Sequence, residues 1–200
     1  MNLRSILPLF VALSLAAQGT GIAGKVSTSD GRNAISAIVF ITSEVPADAT
    51  APKREPPKYI VQRGRLQTPV LVVQVGETFT IQNRDDDLYN VHVDFRKSLS
   101  LNRALLPRGE TKVKTEKPEL FARISEDLHR LNGYVCVLET PFYALTDAHG
   151  KFTLSDLPPG IYTIEAAHPR EGNVKRRVVI SGTNTTVDFT FPLRTPPGVP

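Results

Sequence analysis

Beyond its N-terminus, no window of this chain places apolar residues at the 3.6-residue spacing of a helix face. Without such a stripe a helix has nothing to bury against a core. What recurs instead is the short alternating run rich in Val, Ile, Thr and Phe, closed by a turn signal. Sixteen prolines and thirteen glycines supply the punctuation. This pattern predicts an all-β protein. Two hundred residues can enclose one large core or two small ones, and 40% hydrophobic with 22% charged residues is ordinary for a globular chain.

The N-terminus has a different character. Arg4 precedes an apolar stretch from Ile6 to Leu15, and small Ala16 and Ala17 follow. This predicts a signal peptide over residues 1–17. A membrane span needs about twenty apolar residues, and Gln18 and Thr20 arrive too early for a stable membrane anchor. No cysteine near the cleavage point offers a lipid attachment site. The expected destination is the periplasm or the exterior. The single cysteine, Cys136, has no intramolecular partner and sits in the apolar run Tyr134–Leu138, which predicts a buried thiol. A formal charge of +4 is too small and dispersed to indicate nucleic acid. Lys112, Lys114, Lys117 and Arg123 read as one solvated basic face.

Residues 24–42 read as a hairpin around Asp30-Gly31. In its second strand Ile35, Ala37, Val39 and Ile41 line one face while Ile38 and Phe40 line the other, so both faces should be covered. Residues 44–57, rich in proline and charge, form a linker. Strand-like runs resume at 59–61, 70–75, 78–81, 88–95, 111–114, 121–124 and 134–138, with a turn at Leu106–Glu110. Residues 125–133 read as a polar loop with room for one helical turn. Hairpins then return. Asp147–Gly150 is one turn, and Leu157-Pro-Pro-Gly160 is another with Gly160 in the left-handed position. The last strands, 177–180 and 186–191, pair around Ser181-Gly182, and 194–200 is a flexible tail.

Thr146-Asp-Ala-His-Gly-Lys-Phe-Thr-Leu154 and Leu157-Pro-Pro-Gly-Ile-Tyr162 resemble the carboxypeptidase regulatory-like family, a transthyretin-like β-sandwich. Gly24-Lys-Val26, Asp30-Gly31 and Ala37-Ile-Val39 match the first hairpin of that family. They stand over a hundred residues upstream, which implies one discontinuous domain, 21–43 with 143–193, interrupted by an insertion over 58–142. Val70–Asn83 and Tyr134–Leu138 in the insertion resemble a cupredoxin-like Greek-key sandwich. The combination is similar to the bacterial family labelled methylamine utilization proteins. The resemblance implies an all-β fold in which a transthyretin-like sandwich hosts a cupredoxin-like one.

A blue-copper centre needs two imidazoles and a thiolate, usually with an axial thioether, because sulfur stabilises Cu(I) while imidazole suits both oxidation states. The family's first histidine follows an Asn-x-Asp loop, here Asn83–Asp87, and falls on Tyr89. Its Cys-x-x-His-x-x-Met loop, counted back from Tyr134 without gaps, falls on Ser125, Leu128 and Leu131. All four positions lack a ligand, so the resemblance implies a lost copper site and no cofactor. A shift of one residue places His129 in register but supplies neither thiolate nor thioether. His92 and His129, with Asp94 and Glu126, are the alternative ligands for a rebuilt oxygen- and nitrogen-rich site. The bland reading is two ordinary imidazoles. Asp85–Asp87 contains calcium-type ligands but reads as a solvated loop tip.

Ser125, Glu126, Asp127 and His129 have hydrolase residue types but crowd one loop, whereas a catalytic triad converges from separate elements. No catalytic residue is assigned. Tyr59, Tyr134, Phe142, Tyr143 and Tyr162 are the aromatics to examine for a sugar platform. The expected function is therefore a non-enzymatic binding or scaffolding role toward a periplasmic protein or a glycan. The competing functions are an unconventional copper-binding or electron-transfer protein and a carbohydrate-binding module.

Overall fold

The computed structural model describes residues 20–47, 49–127, 131–182 and 184–192. The expected signal peptide and the tail 194–200 lie outside them. Every regular element among the described residues is a β-strand. Two strands precede the insertion: β1 (Ile22–Thr28) and β2 (Ile38–Ile41). The insertion holds β3 (Lys58–Gln62), β4 (Arg65–Leu66), β5 (Val70–Gln74), β6 (Thr78–Asn83), β7 (Tyr89–Asp94), β8 (Leu101–Leu105), β9 (Glu110–Lys114), β10 (Glu119–Glu126) and β11 (Asn132–Leu138). After it come β12 (Tyr143–Leu145), β13 (Lys151–Leu154), β14 (Gly160–His168), β15 (Gly172–Ile180), β16 (Thr185–Thr186) and β17 (Phe189–Phe191).

The strands form four sheets. The first is ordered β13-β1-β16, with β17 also on β1, and the second β12-β2-β14-β15. The third is β5-β11-β10-β7-β8 and the fourth β4-β3-β6-β9. Strands β1 and β2 thus pair with strands from the far end of the chain, and β3–β11 pair only with one another.

Side-chain alternation explains the stacking. Val39 and Ile41 of β2 face Ile22, Val26, Phe152, Phe189 and Phe191 in the core between the first and second sheets. Ile38 and Phe40 face the other way, onto Val70, Val72, Cys136 and Leu138 of the third sheet. On the far side of the third sheet, Val73, Val91, Ile124 and Val135 pack on Tyr59, Phe79, Ile81 and Val113. Two sandwiches therefore share a third core between their inner sheets. All four residues of β2 are buried, because the insertion supplies the second cover.

Several local expectations are corrected. Residues 24–42 are not a hairpin. The Thr28–Gly31 turn forms, with Gly31 at φ 84 and its N–H donated to the Thr28 carbonyl at 2.9 Å. The chain then crosses between sheets, so β1 and β2 belong to different layers. Ile35 stands at the crossing and is exposed, while Ala34 and Ala37 are buried there. The last strands do not pair with β15. β16 and β17 run parallel to β1 instead, because Phe189 and Phe191 find their apolar surroundings in the first core. Gly160 is not left-handed; Asp156 takes that conformation, at φ 61. At Gly160 a Cβ would lie 3.2 Å from the Tyr162 ring, whose hydroxyl donates to the Pro158 carbonyl at 2.7 Å. The expected loop 125–133 is shorter than its polarity suggested, because β10 runs on to Glu126 and β11 begins at Asn132. The linker 44–57 is not free of packing: Val45 and Ala49 rest on the first core, and the Arg54 guanidinium lies 3.7 Å from the centre of the Tyr143 ring.

Candidate functional site

The end of the insertion that holds Asn83–Asp87 is tied shut by polar side chains. Asn83, 1% exposed, donates from Nδ2 to the Asp87 carbonyl at 2.7 Å and the Leu106 carbonyl at 2.9 Å. Its Oδ1 accepts the Asp85 N–H at 2.9 Å. The Asp85 carboxylate accepts the N–H groups of Arg63 at 2.7 Å and Gly64 at 3.0 Å. It also accepts the Tyr89 hydroxyl at 2.6 Å. Desolvation pushes the Asp85 carboxyl upward, but the Gly64, Tyr89 and Arg63 donors outweigh it and leave it below the ordinary carboxylate range. Tyr89 is fully buried, and desolvation together with the Asp85 charge raises its phenol. Asp85 is therefore a hub of the loop rather than part of a solvated tip. Asp86 and Asp87 are the exposed members, with Asp86 held by Arg108 through bonds of 2.8 and 3.0 Å.

Tyr89 and Leu131 belong to one core, between the third and fourth sheets. Ser125 pairs with His92 across β10 and β7, while Glu126 pairs with Val91. Alternation then sets Ser125 and His92 on the face opposite Tyr89, Val91 and Glu126. Gap-free counting from Tyr134 therefore does not bring the described positions to one point. Leu128 and His129 lie outside the described residues. The His92 Nε2 is 3.3 Å from Asp127 Oδ2 and 3.3 Å from Asn90 Nδ2. Among the described residues, no group of three or more His, Cys, Asp or Glu side chains is placed to hold a metal ion. Of the aromatics singled out from the sequence, Tyr59, Phe142 and Tyr162 are buried, and Tyr134 and Tyr143 are half-buried. Tyr134 stacks edge-on against Phe121 at 5.9 Å, and Tyr143 lies under Arg54.

A second region has the shape of a ligand site. Where the two sandwiches meet, a cleft of about 560 Å³ opens beside the shared core. Phe40 and Phe142 line it from the first sandwich, and Leu120, Val137 and Leu138 from the second. Small-molecule sites favour such junctions and such volumes. Two buried carboxylates reach its wall, Glu119 at 3% exposure and Glu165 at 5%. Glu165 accepts Asn173 Nδ2 at 2.7 Å and pairs with Lys175 Nζ at 3.0 Å. Glu119 accepts the backbone N–H groups of Arg96 and Lys97, each at 3.0 Å, and the Arg96 Nε at 3.0 Å. Burial alone would raise the Glu119 carboxyl, but those donors hold it below its ordinary value.

The floor of this cleft depends on an irregularity in β10. The ladder with β11 slips between Glu119 and Ala122, and Phe121 adopts φ 59. A left-handed conformation is uncommon for a bulky residue, and a β-bulge is one way to re-aim side chains. Here the bulge turns Leu120 and Phe121 toward the shared core. Beneath it lies Cys136, fully buried, its thiol pushed up to about 12 by desolvation against the opposing Phe121 N–H. Sequence reasoning missed Glu119, Glu165 and the cleft. Glu165 stands on the face of β14 that a lone sandwich would expose to water, so nothing local marks it as buried.

No protein-family model matches the chain, and no curated protein matches it. Solved structures of amicyanin do. An oxidized proline-to-glycine mutant of amicyanin aligns at 22% identity over 50% of this chain and 98% of that chain, with a TM-score of 0.38. An oxidized methionine-to-leucine mutant of amicyanin aligns at 23% identity over the same shares, also at 0.38. Amicyanin from Paracoccus versutus aligns at 17% identity over 50% of this chain and 97% of its own, with a TM-score of 0.36.

Proposed function

We propose that this chain is an exported, non-enzymatic β-sandwich binding protein whose cupredoxin-like insertion carries no copper centre. One observation supports the reading most directly. At the position the resemblance aligns with a copper histidine, the Tyr89 phenol is fully buried and bonded to Asp85 at 2.6 Å. A phenol whose proton is held this way, with its ionisation pushed upward, is a poor metal ligand at neutral pH. The chain's one thiol lies in the layer shared by the two sandwiches, on the face of β11 opposite the core that holds Tyr89. The test is titration of purified mature protein with Cu(I) and Cu(II), followed by visible spectroscopy and elemental analysis. Absence of a thiolate charge-transfer band and of stoichiometric metal is the expected result. One firmly retained copper ion per chain overturns the reading.

A further inference from the structure

We infer that the cleft between the sandwiches binds a small amphipathic cation: an apolar body carrying an ammonium or guanidinium head. The inference rests on the binding-protein reading and gives it a location and a ligand class. The floor is apolar, built by Phe40, Leu120, Leu138 and Phe142, and 560 Å³ suits a compact organic body.

Charge selects the head group. The wall carries Glu44, Glu119, Glu139 and Glu165 against Lys97 alone. Arg96 and Lys175 match Glu119 and Glu165 from outside the lining. Glu44 and Glu139 remain at the mouth, both exposed, and neither forms an ion pair among the described residues. With Lys97 set against them, the mouth carries a net single negative charge, on a chain whose net charge is +4. Such local inversion in a cleft with low-dielectric walls concentrates cations. The strained bulge points the same way. Phe121 at φ 59 is where the backbone departs from a regular ladder, and that departure delivers Leu120 to the floor. Unusual backbone of this kind gathers at ligand sites.

The experiment is calorimetric titration of the mature chain with a matched series: 4-phenylbutylammonium, 4-phenylbutanol and 4-phenylbutyrate. The ammonium should bind saturably in the millimolar range or tighter, the alcohol more weakly and the carboxylate weakest. Glu44→Gln and Glu139→Gln should each weaken the ammonium about two- to fivefold and leave the alcohol unchanged, as solvent-exposed charge pairs do. Thr42→Trp, which fills the exposed cleft from the first sandwich, should abolish binding of all three. Should that variant not fold, Glu44→Lys/Glu139→Lys replaces it and should reverse the preference toward the carboxylate. Equal binding of the three compounds, no saturable binding, or binding indifferent to these substitutions overturns the inference. Copper loading of the same preparation reads the metal question separately, so failure of the cleft inference and failure of the binding-protein reading are distinguishable.

Discussion

Truncating Glu119 should cost more stability than any other single carboxylate of the insertion. Its side chain is 1% exposed and takes four donations: Arg96 N–H to both oxygens, Arg96 Nε to Oε1 and Lys97 N–H to Oε2, all at 3.0 Å. The guanidinium is 75% exposed, so its pairing is screened and contributes little. The backbone donors matter more, because hydrogen bonds to a charged acceptor contribute about 1.5–3 kcal/mol each. Two such donors lose their acceptor in Glu119→Ala. Water can reach Lys97, which offsets part of the loss, leaving about 2–4 kcal/mol. Glu119→Gln keeps one acceptor oxygen and should lose about 1–2 kcal/mol.

The sign of the pH dependence follows from the depressed carboxyl. Its folded value lies below the ordinary 4.5, so its stabilisation is complete above 4.5 and disappears as pH falls through the folded value. Urea unfolding at about pH 7 and about pH 3 should therefore show the gap between wild type and Glu119→Ala closing in acid. A loss below about 0.5 kcal/mol at neutral pH, or a gap of equal size at both, refutes the account of Glu119 as a buried charged acceptor for the Arg96 and Lys97 N–H groups.

Four further outcomes are expected. Tyr89→Phe deletes the 2.6 Å bond to Asp85 and should cost about 1–3 kcal/mol in chemical denaturation, and an unchanged midpoint would contradict the hub role of Asp85. Gly24→Ala places a Cβ 1.9 Å from the Val187 carbonyl oxygen and should destabilise by about 3 kcal/mol or more. Gly31→Ala, at φ 84 with open space around it, should cost only about 1 kcal/mol, so comparable losses from the two would sink the close-packing account. Cys136, buried with its thiol held near 12, should react with a maleimide only as fast as the shared core opens, so its labelling rate should climb with denaturant; rapid labelling of native protein at pH 7 contradicts its placement.

The periodicity of two was legible along most of the chain, because Val, Ile and Phe alternate wherever a sheet has one wet face. The turns at Asp30-Gly31 and Asp147–Gly150 were legible for the same local reason: Gly31 at φ 84 and Gly150 at φ 73 are conformations that a sequence can announce. Partner choice was not legible. The Thr28–Gly31 turn forms, yet β2 pairs with β12 and β14 because the chain crosses to the other sheet at buried Ala34 and Ala37. β8 was missed because Leu101-Asn-Arg-Ala-Leu105 carries three consecutive exposed residues, the mark of an edge rather than of a core strand. Glu119 gave no signal, since its burial depends on a bulge and on a loop folding back from residues 96 and 97.

What the sequence did announce, without saying why, was apolarity on both faces of Ile38–Ile41, and the structure covers both faces of Val70–Gln74 and Tyr134–Leu138 as well. In an isolated two-sheet sandwich, one of those faces would meet water. Here Ile38 and Phe40 of the host meet Val70, Val72, Cys136 and Leu138 of the insertion, and neither inner sheet is wet at that point. The insertion is thus a structural complement of its host rather than an appendage on a linker. The same contact explains why a cleft exists: two twisted sheets that touch along part of their faces diverge beyond it. Glu119, Glu165 and the mouth acids lie in that divergence, where walls from both sandwiches contribute and neither sandwich alone would form a site.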